Sequence, residues 1–387
     1  MSIARTAAPT IVSGSVARVR LAWVLPAVAT ITWVVYVAAE GHLGRVLDQW
    51  AAAVTMVFGS FVAGSTPAGG GAVAFPVFTK VLEIPPAVAR TFSLSIQATG
   101  MVMASATILL AGRRVDRTAL TIGTSGGMLG FVFGAVLLGD RESTFWSSHL
   151  DPAYVKVTFT MVIAAMAYIV FLSLQVDEAD CVNVITGWNR RSVGGLLFAG
   201  LVGGVLSSLT GSGVNILLFL FTVIVFGLHP RVGVPTSIIS MAVVSVLGFV
   251  MFGLIDGQLD LVLDGTGDVV SVGGSPVSPL DGGRHDVFGI WLAAIPVVVW
   301  GAPLGAWVAS VLSKRALIVF VGSMALLEVA TTIVFLDQLR SDAALAAYFA
   351  IGTAAAIAAV HGLARRRHWF GTAAPTDPEP VMADSGE

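Results

Sequence analysis

The chain has 387 residues, of which 56% are apolar and only 11% charged, with 43 glycines and a mean hydropathy of +0.88. A water-soluble domain clothes its surface with about 25% charged residues, so an ordinary soluble enzyme and a disordered chain are both excluded, and lipid must solvate most of this chain. A net charge of −2 offers nothing to nucleic acid, and the single Cys181 permits neither an intrachain disulfide nor a cysteine-based zinc site.

Charge-poor apolar runs cover about 21–39, 50–80, 86–111, 118–139, 153–175, 193–228, 233–256, 288–312, 315–336 and 342–362. Most are long enough to cross a hydrocarbon layer of roughly 30 Å as helices, and none shows strand alternation. The first run follows Arg18 and Arg20 and ends on Val37-Ala38-Ala39, a faint cleavage pattern. Its apolar stretch exceeds that of a usual signal peptide, so it is expected to stay as an anchor.

Two runs are interrupted. The first breaks at Gly64-Ser65-Thr66-Pro67-Ala68-Gly69-Gly70-Gly71, the second at Ser207-Ser208-Leu209-Thr210-Gly211-Ser212-Gly213. Each is either one long broken helix or a hairpin whose flanks lie on one side of the membrane. With two hairpins and a cytoplasmic N-terminus, 14 of the 21 Lys and Arg residues fall inside, including the clusters at 113–117, 190–191, 314–315 and 365–367. Single spans would put the 113–117 and 190–191 clusters on the wrong face, so loop charge favours the hairpins. The acidic loop 257–287, with Asp260, Asp264, Asp268, Asp281 and Asp286, then lies outside.

The chain also repeats itself. A shift of 144 residues matches Gly59 to Gly203, Thr66 to Thr210, Gly69 to Gly213, Phe75 to Phe219, Val81 to Val225, Pro86 to Pro230, Val88 to Val232 and Ser93 to Ser237. Gly130-Phe131-Val132-Phe133-Gly134-Ala135 and Gly301-Ala302-Pro303-Leu304-Gly305-Ala306 are similar, and Ile169-Val170-Phe171-Leu172 recurs as Ile333-Val334-Phe335-Leu336. The expected fold is an all-α polytopic membrane protein of two inverted-topology repeats. Each repeat is a broken helical hairpin plus three transmembrane helices, with one extra helix at each end of the chain. Such repeats are the mark of secondary transporters that bind substrate at discontinuous helices near the midplane. The boundaries read as a cytoplasmic tail (1–16), an anchor helix and loop (17–46), a first repeat (47–176) and a cytoplasmic linker (177–192). A second repeat (193–336, containing the loop 257–287), a final transmembrane helix (337–364) and a disordered cytoplasmic tail (365–387) follow.

The glycine-rich break before an apolar half-helix and Pro, the segments Ala87-Val88-Ala89-Arg90-Thr91-Phe92-Ser93 and Gly233-Val234-Pro235-Thr236-Ser237, and the repeated Gly-xxx-Gly span resemble the sulfite exporter TauE/SafE family, also called the toluene-sulfonate uptake permeases. The resemblance covers about 47–336. It departs at Val214 and Asn215, where a fuller glycine run belongs. It implies a carrier in the cell membrane for sulfite, sulfonates or related small organosulfur anions.

A helix broken in mid-membrane frees backbone N–H groups, and the following half-helix begins with about half a positive charge. Glycine lets an anion approach that backbone closely. The candidate substrate-binding residues at the breaks are therefore Ser65, Thr66, Gly69, Gly70, Gly71, Thr210, Gly211, Ser212, Gly213 and Asn215. The other reading is that these glycines only turn the hairpin and pack it. A second candidate ring follows the hairpins: Arg90, Thr91, Ser93, Ser95 and Gln97 in one half, Thr236, Ser237 and Ser240 in the other. Residues 93 and 97, like 236 and 240, share a helix face. The alternatives are hydroxyls that bond a carbonyl one turn back and an Arg90 that snorkels from a span end. Glu328, thirteenth of the 21 residues from 316 to 336, is a mid-span carboxyl. It is either a proton-coupling site or a protonated acid that fixes packing.

Gly130/Gly134 and Gly301/Gly305 read as packing seams, and Trp23, Trp50, Trp146, Trp291 and Trp369 as an interfacial belt. The six histidines lack metal-ligand spacing, and no P-loop or His-Glu-x-x-His motif is present. Neither a metal, a cofactor nor an enzymatic activity is expected. The expected partners are a small-molecule anion, the lipid bilayer and a second copy of the chain in a homodimer. An anion channel, or a carrier of this fold for a small carboxylate, are the alternative functions.

Overall fold

The computed structural model describes residues 16–81, 84, 86–138, 151–174, 181–263, 269–272 and 285–365. Its helices follow the apolar runs: α1 (Val16–Ala39), the short α2 (Leu43–Asp48) and α3 (Trp50–Ser65) lead to the first break. Beyond it α4 (Gly71–Pro76) runs on as a π-helical turn (Val77–Val81), followed by α5 (Pro86–Leu110), α6 (Arg117–Leu138) and α7 (Pro152–Leu174). In the second half α8 (Arg190–Thr210) precedes the break, and α9 (Val214–Phe219) passes into a π-helical stretch, Leu220–Val225. Then come α10 (Pro230–Gly248), ending in its own π-helical stretch (Phe249–Ile255), α11 (Val287–Val311) and α12 (Lys314–Phe335). The short α13 (Gln338–Ser341) and α14 (Ala343–Arg365) complete the series. Among the described residues, eight helices are long and apolar enough to cross a membrane.

Several helix starts have a readable cause. Asn189 Oδ1 accepts from the amides of Arg191 (2.9 Å) and Ser192 (2.8 Å) while Ser192 Oγ accepts from Asn189 N, a reciprocal cap that starts α8 at Arg190, ahead of its apolar run. Asp116 Oδ1 accepts from Ala119 N (2.8 Å) at the start of α6, and its other oxygen accepts from Ile185 N (3.0 Å). Residues 181–189 are thereby tied down, helped by the bridge from Val182 N to Gly227 O and from His229 N to Val182 O.

The loop after α10 departs from the purely helical expectation. Strands β1 (Leu261–Leu263), β2 (Val269–Val272) and β3 (His285–Asp286) form a small antiparallel sheet in the order β2-β1-β3. Strands of two to four residues carry too little alternation to be read in sequence. Asp286, expected in a solvated loop, is buried and holds Arg45 of α2 through two bonds, Nε to Oδ2 and Nη2 to Oδ1 (2.7 Å). Asp264, Asp268, Asp281, Trp146, Trp369, residues 1–15 of the N-terminal tail and residues 366–387 of the C-terminal tail lie outside the described residues.

Two glycine seams hold the centre. A methyl group built on Gly130 of α6 would stand 1.9 Å from Leu201 O of α8, one on Gly126 2.3 Å from Leu197 O, and one on Gly204 of α8 2.1 Å from Gly127 O. Between α3 and α11 the same measure gives 1.8 Å from Gly64 to Ala302 O and 2.1 Å from Gly305 to Phe61 O. Only glycine lets two helix backbones approach so closely, and the seam reading of 130/134 and 301/305 is the one the geometry supports. Each seam joins the halves: α3 packs on α11, and α8, which holds the corresponding place in the second half, packs on α6. Helices α5 and α10 meet between the seams, and α7 packs on α12.

The end helices lie outside this core. α1 is pinned by Trp33 Nε1 to Leu292 O (2.9 Å) and by Trp300 Nε1 to Thr30 Oγ1 (2.9 Å), with Trp23 stacked on Trp300. α14 is pinned to α7 by Tyr168 Oη and His361 Nδ1 at 2.7 Å. Trp50 is exposed, as a belt residue should be, but Trp291 turns inward and donates to Ser95 O at 3.3 Å.

A Gly130→Ala substitution should lower stability by about 1–3 kcal/mol, because helix backbones must separate to admit the methyl group. Gly362→Ala, with nothing within 4 Å of the new atom, should leave stability unchanged or slightly raised. Thermal unfolding of the two variants in detergent, monitored side by side, checks both.

Candidate functional site

The two interruptions touch. In the first, Thr66 closes α3 with its N–H (3.0 Å) and its Oγ1 (3.0 Å) both on Val62 O, and Ala68 N and Gly69 N turn back onto Thr66. Pro67 has no N–H to continue the helix. In the second, Gly211 N reaches Ser207 O (2.9 Å) and Thr210 Oγ1 donates to Ser212 O (2.8 Å). Both turns need the left-handed backbone region, with φ of +73° at Gly69 and +78° at Gly211, which glycine adopts freely. Across the junction Ser212 Oγ donates to Ala68 O at 3.2 Å.

Helix α5 serves the second break. Gln97 Nε2 donates to Gly211 O (2.7 Å), to Ser93 O (3.0 Å) and to Ser93 Oγ (2.8 Å), while Ser93 Oγ lies 3.4 Å from Gly211 O. Asn215 folds back so that its Oδ1 accepts from Gly213 N and Ser212 Oγ, both at 3.3 Å. Val214 N is taken by Ser207 Oγ at 3.1 Å. The start of α9 is therefore capped by side chains. Gly71, at the first position of α4, has no carbonyl one turn behind it within its own helix.

Arg90 does not snorkel. It is 3% exposed, lies with its guanidinium 4.1 Å over the Phe252 ring, and donates to Ser208 O and Gln258 Oε1, both at 3.4 Å. Thr91 Oγ1 also donates to Gln258 Oε1, and Gln258 Nε2 donates to Asp256 Oδ2. A polar chain thus runs from exposed Asp256 through Gln258 to a cation at the edge of the second break.

The structure brings together Gly69, Gly71, Ser93, Gln97, Gly211, Ser212, Gly213 and Asn215, with Arg90 and Thr91 at the rim. Ser65 and Thr66 turn their hydroxyls onto carbonyls of their own helix, Ser65 at 2.7 Å from Phe61 O. Gly70 packs against Ala63 and Gly59, and Thr210 bonds within its own break. The α10 members of the second ring face elsewhere. Thr236 Oγ1 accepts from Asp116 N (3.1 Å), Ser240 Oγ accepts from Thr124 Oγ1 (2.9 Å), and Ser237 Oγ donates to Val234 O (2.9 Å). Position 241, the counterpart of Gln97, is Met241, whose sulfur accepts from Ser207 Oγ.

Gln258 and Phe252, which hold Arg90, carry no spacing signal in the sequence. Gln258 sits in a segment that reads as solvated loop, and Phe252 is one apolar residue among many.

Glu328 is 3% exposed on the face where α12 meets α7. Its Oε1 accepts from Thr160 (3.1 Å) and Thr332 (3.4 Å), its Oε2 from Thr331 (3.4 Å), and the Thr160 and Thr332 hydroxyls are 2.7 Å apart. Among the described residues no three His, Cys, Asp or Glu side chains gather as a metal site.

The model of the family described as Sulfite exporter TauE/SafE matches residues 51–327. That stretch takes in both breaks, α5, the two glycine seams and most of α12, and ends one residue before Glu328. No curated protein and no solved structure matches the chain. With more than two thirds of its length matched, this multi-pass membrane protein belongs to the sulfite exporter TauE/SafE family of membrane transporters of sulfur anions.

Proposed function

We propose that the chain is a secondary active carrier for sulfite or an organosulfonate, which binds where the two helix breaks meet. The observation that carries this reading is the contact itself: Ser212 Oγ on Ala68 O, with Ser93 and Gln97 of α5 on Gly211 O, all buried in the middle of an apolar protein. Substrate would be held by backbone amides and neutral side chains, and Arg90 would draw the negative charge inward. The two halves are taken as inverted repeats that rock about this point, with both termini cytoplasmic. The seams made twice across the halves and the 144-residue sequence repeat support that arrangement.

The proposal extends to a coupling proton at Glu328. A buried carboxyl surrounded by threonine hydroxyls from two helices tolerates either protonation state, because a hydroxyl can turn from donor to acceptor. Lys156, one turn before Thr160 on α7, points its Nζ to Thr79 O at 3.1 Å.

Flux into proteoliposomes should be saturable for at least one of sulfite, thiosulfate, sulfoacetate, isethionate and taurine. Flux of a small carboxylate but of no sulfur anion would remove the substrate assignment, and currents far above carrier turnover would point to a channel. A charge-assisted hydrogen bond contributes about 1.5–3 kcal/mol, so Arg90→Gln should weaken apparent substrate affinity by roughly 10- to 100-fold, with Arg90→Lys in between. Both variants should first be shown monodisperse by gel filtration. Glu328→Gln should make flux insensitive to an imposed pH gradient. An unchanged rate and pH profile in that variant would contradict coupling at this residue.

A further inference from the structure

Three polar atoms from three segments converge on one glycine. A Cβ built on Gly69 would lie 2.6 Å from Asn215 Nδ2, 3.2 Å from Gln97 Oε1 and 3.4 Å from Ser212 Oγ. Ser212 Oγ has partners in Ala68 O and Asn215 Oδ1. The amide nitrogen of Asn215 and the amide oxygen of Gln97 have none, although the two side chains are 0% and 1% exposed.

Neither amide can be turned round to remove the problem. The Gln97 atom that meets Ser93 O and Gly211 O faces two carbonyls, so it must be the donor nitrogen, and Oε1 is left pointing at Gly69. The Asn215 atom that meets Gly213 N faces a group that only donates, so it must be the oxygen, and Nδ2 is left pointing at Gly69. Buried polar groups without partners are rare in folded proteins and call for an explanation. Here one orphan is a donor and the other an acceptor, both at the junction where substrate is proposed to sit.

An anion that offers only acceptor oxygens satisfies Asn215 but repels Gln97 Oε1. We infer that the junction selects a small sulfur oxyanion that carries its own hydrogen-bond donor, its oxygens on Asn215 Nδ2 and its O–H or N–H on Gln97 Oε1. Protonated sulfite, a hydroxyalkanesulfonate and an aminoalkanesulfonate all have this character. A fully deprotonated sulfite dianion and a plain alkanesulfonate do not. This inference rests on the carrier reading above and adds the substrate's donor to it. Selectivity follows because a site that hydrogen-bonds a substrate O–H or N–H leaves its own buried group unpaired with an analogue that lacks it.

Isethionate and ethanesulfonate differ by one hydroxyl, and taurine places an ammonium at the same carbon. Binding of the three to the purified full-length protein, measured calorimetrically in detergent, decides the matter. Isethionate or taurine should bind at least about tenfold more tightly than ethanesulfonate. Gln97→Met, which places there the residue found at the corresponding position of the other half, should bring that ratio close to one; only the ratio is read, because the substitution also removes the Nε2 bond to Gly211 O and so shifts all three affinities together. Equal binding of all three to the wild-type protein would overturn the inference, leave the carrier reading standing, and assign the two orphan atoms to a trapped water. No binding by any of the three would remove the sulfonate site and the inference with it. The wild-type comparison stands even where Gln97→Met fails to fold.

Discussion

A helix that stops away from water exposes carbonyls and amides that apolar surroundings cannot satisfy, and this chain stops two helices in its buried interior. Each break is completed by other parts of the protein. Gly211 O is held by Gln97 and Ser93 of α5, Ala68 O by Ser212 of the opposite break, and Val214 N by Ser207. The need to satisfy two broken backbones at once brings the two breaks into contact with each other, between the seams that join the halves. The glycine seams are part of this arrangement: α3, which leads into the first break, lies backbone to backbone on α11, and α8, which leads into the second, on α6.

The same seams bear on motion. Each break is carried by an arm fused, through direct backbone contact, to a helix of the other half. Rocking of one half on the other would therefore have to pivot about these backbone contacts rather than part them. The halves are also not chemically equal. α5 sends Arg90, Ser93 and Gln97 to the second break, whereas α10 has Met241 where α5 has Gln97, and its hydroxyls bond to α6 and to its own helix. One side of the junction is thus polar and cationic and the other is largely self-satisfied, which fits a substrate with one kind of group at each end.

Most of the architecture was legible in the sequence because lipid makes strong demands: length, scarcity of charge and glycine placement suffice to locate spans, breaks and seams. The breaks were readable from Pro67 and the glycines around them, and the 130/134 and 301/305 seams from their spacing. Other features depend on partners far away in the chain. Arg90 at a span end reads as a snorkelling residue until Phe252 and Gln258 close over it. Asp286 reads as a loop acid until Arg45 meets it. Trp291 has the position of a belt residue but the contacts of a core one. The hydroxyls of α10 repeat the spacing of those on α5 while facing a different neighbour, since a repeat in sequence preserves backbone placement more faithfully than side-chain partners.

The central claim is that a sulfur oxyanion binds where the two breaks meet. Anomalous diffraction from crystals soaked in selenite, a heavier analogue of sulfite, would locate such an anion directly. A selenium peak within hydrogen-bonding reach of Gly69, Gly71, Ser212 and Asn215 is the predicted result. A peak elsewhere in the protein, with the junction empty at saturating selenite, would contradict it.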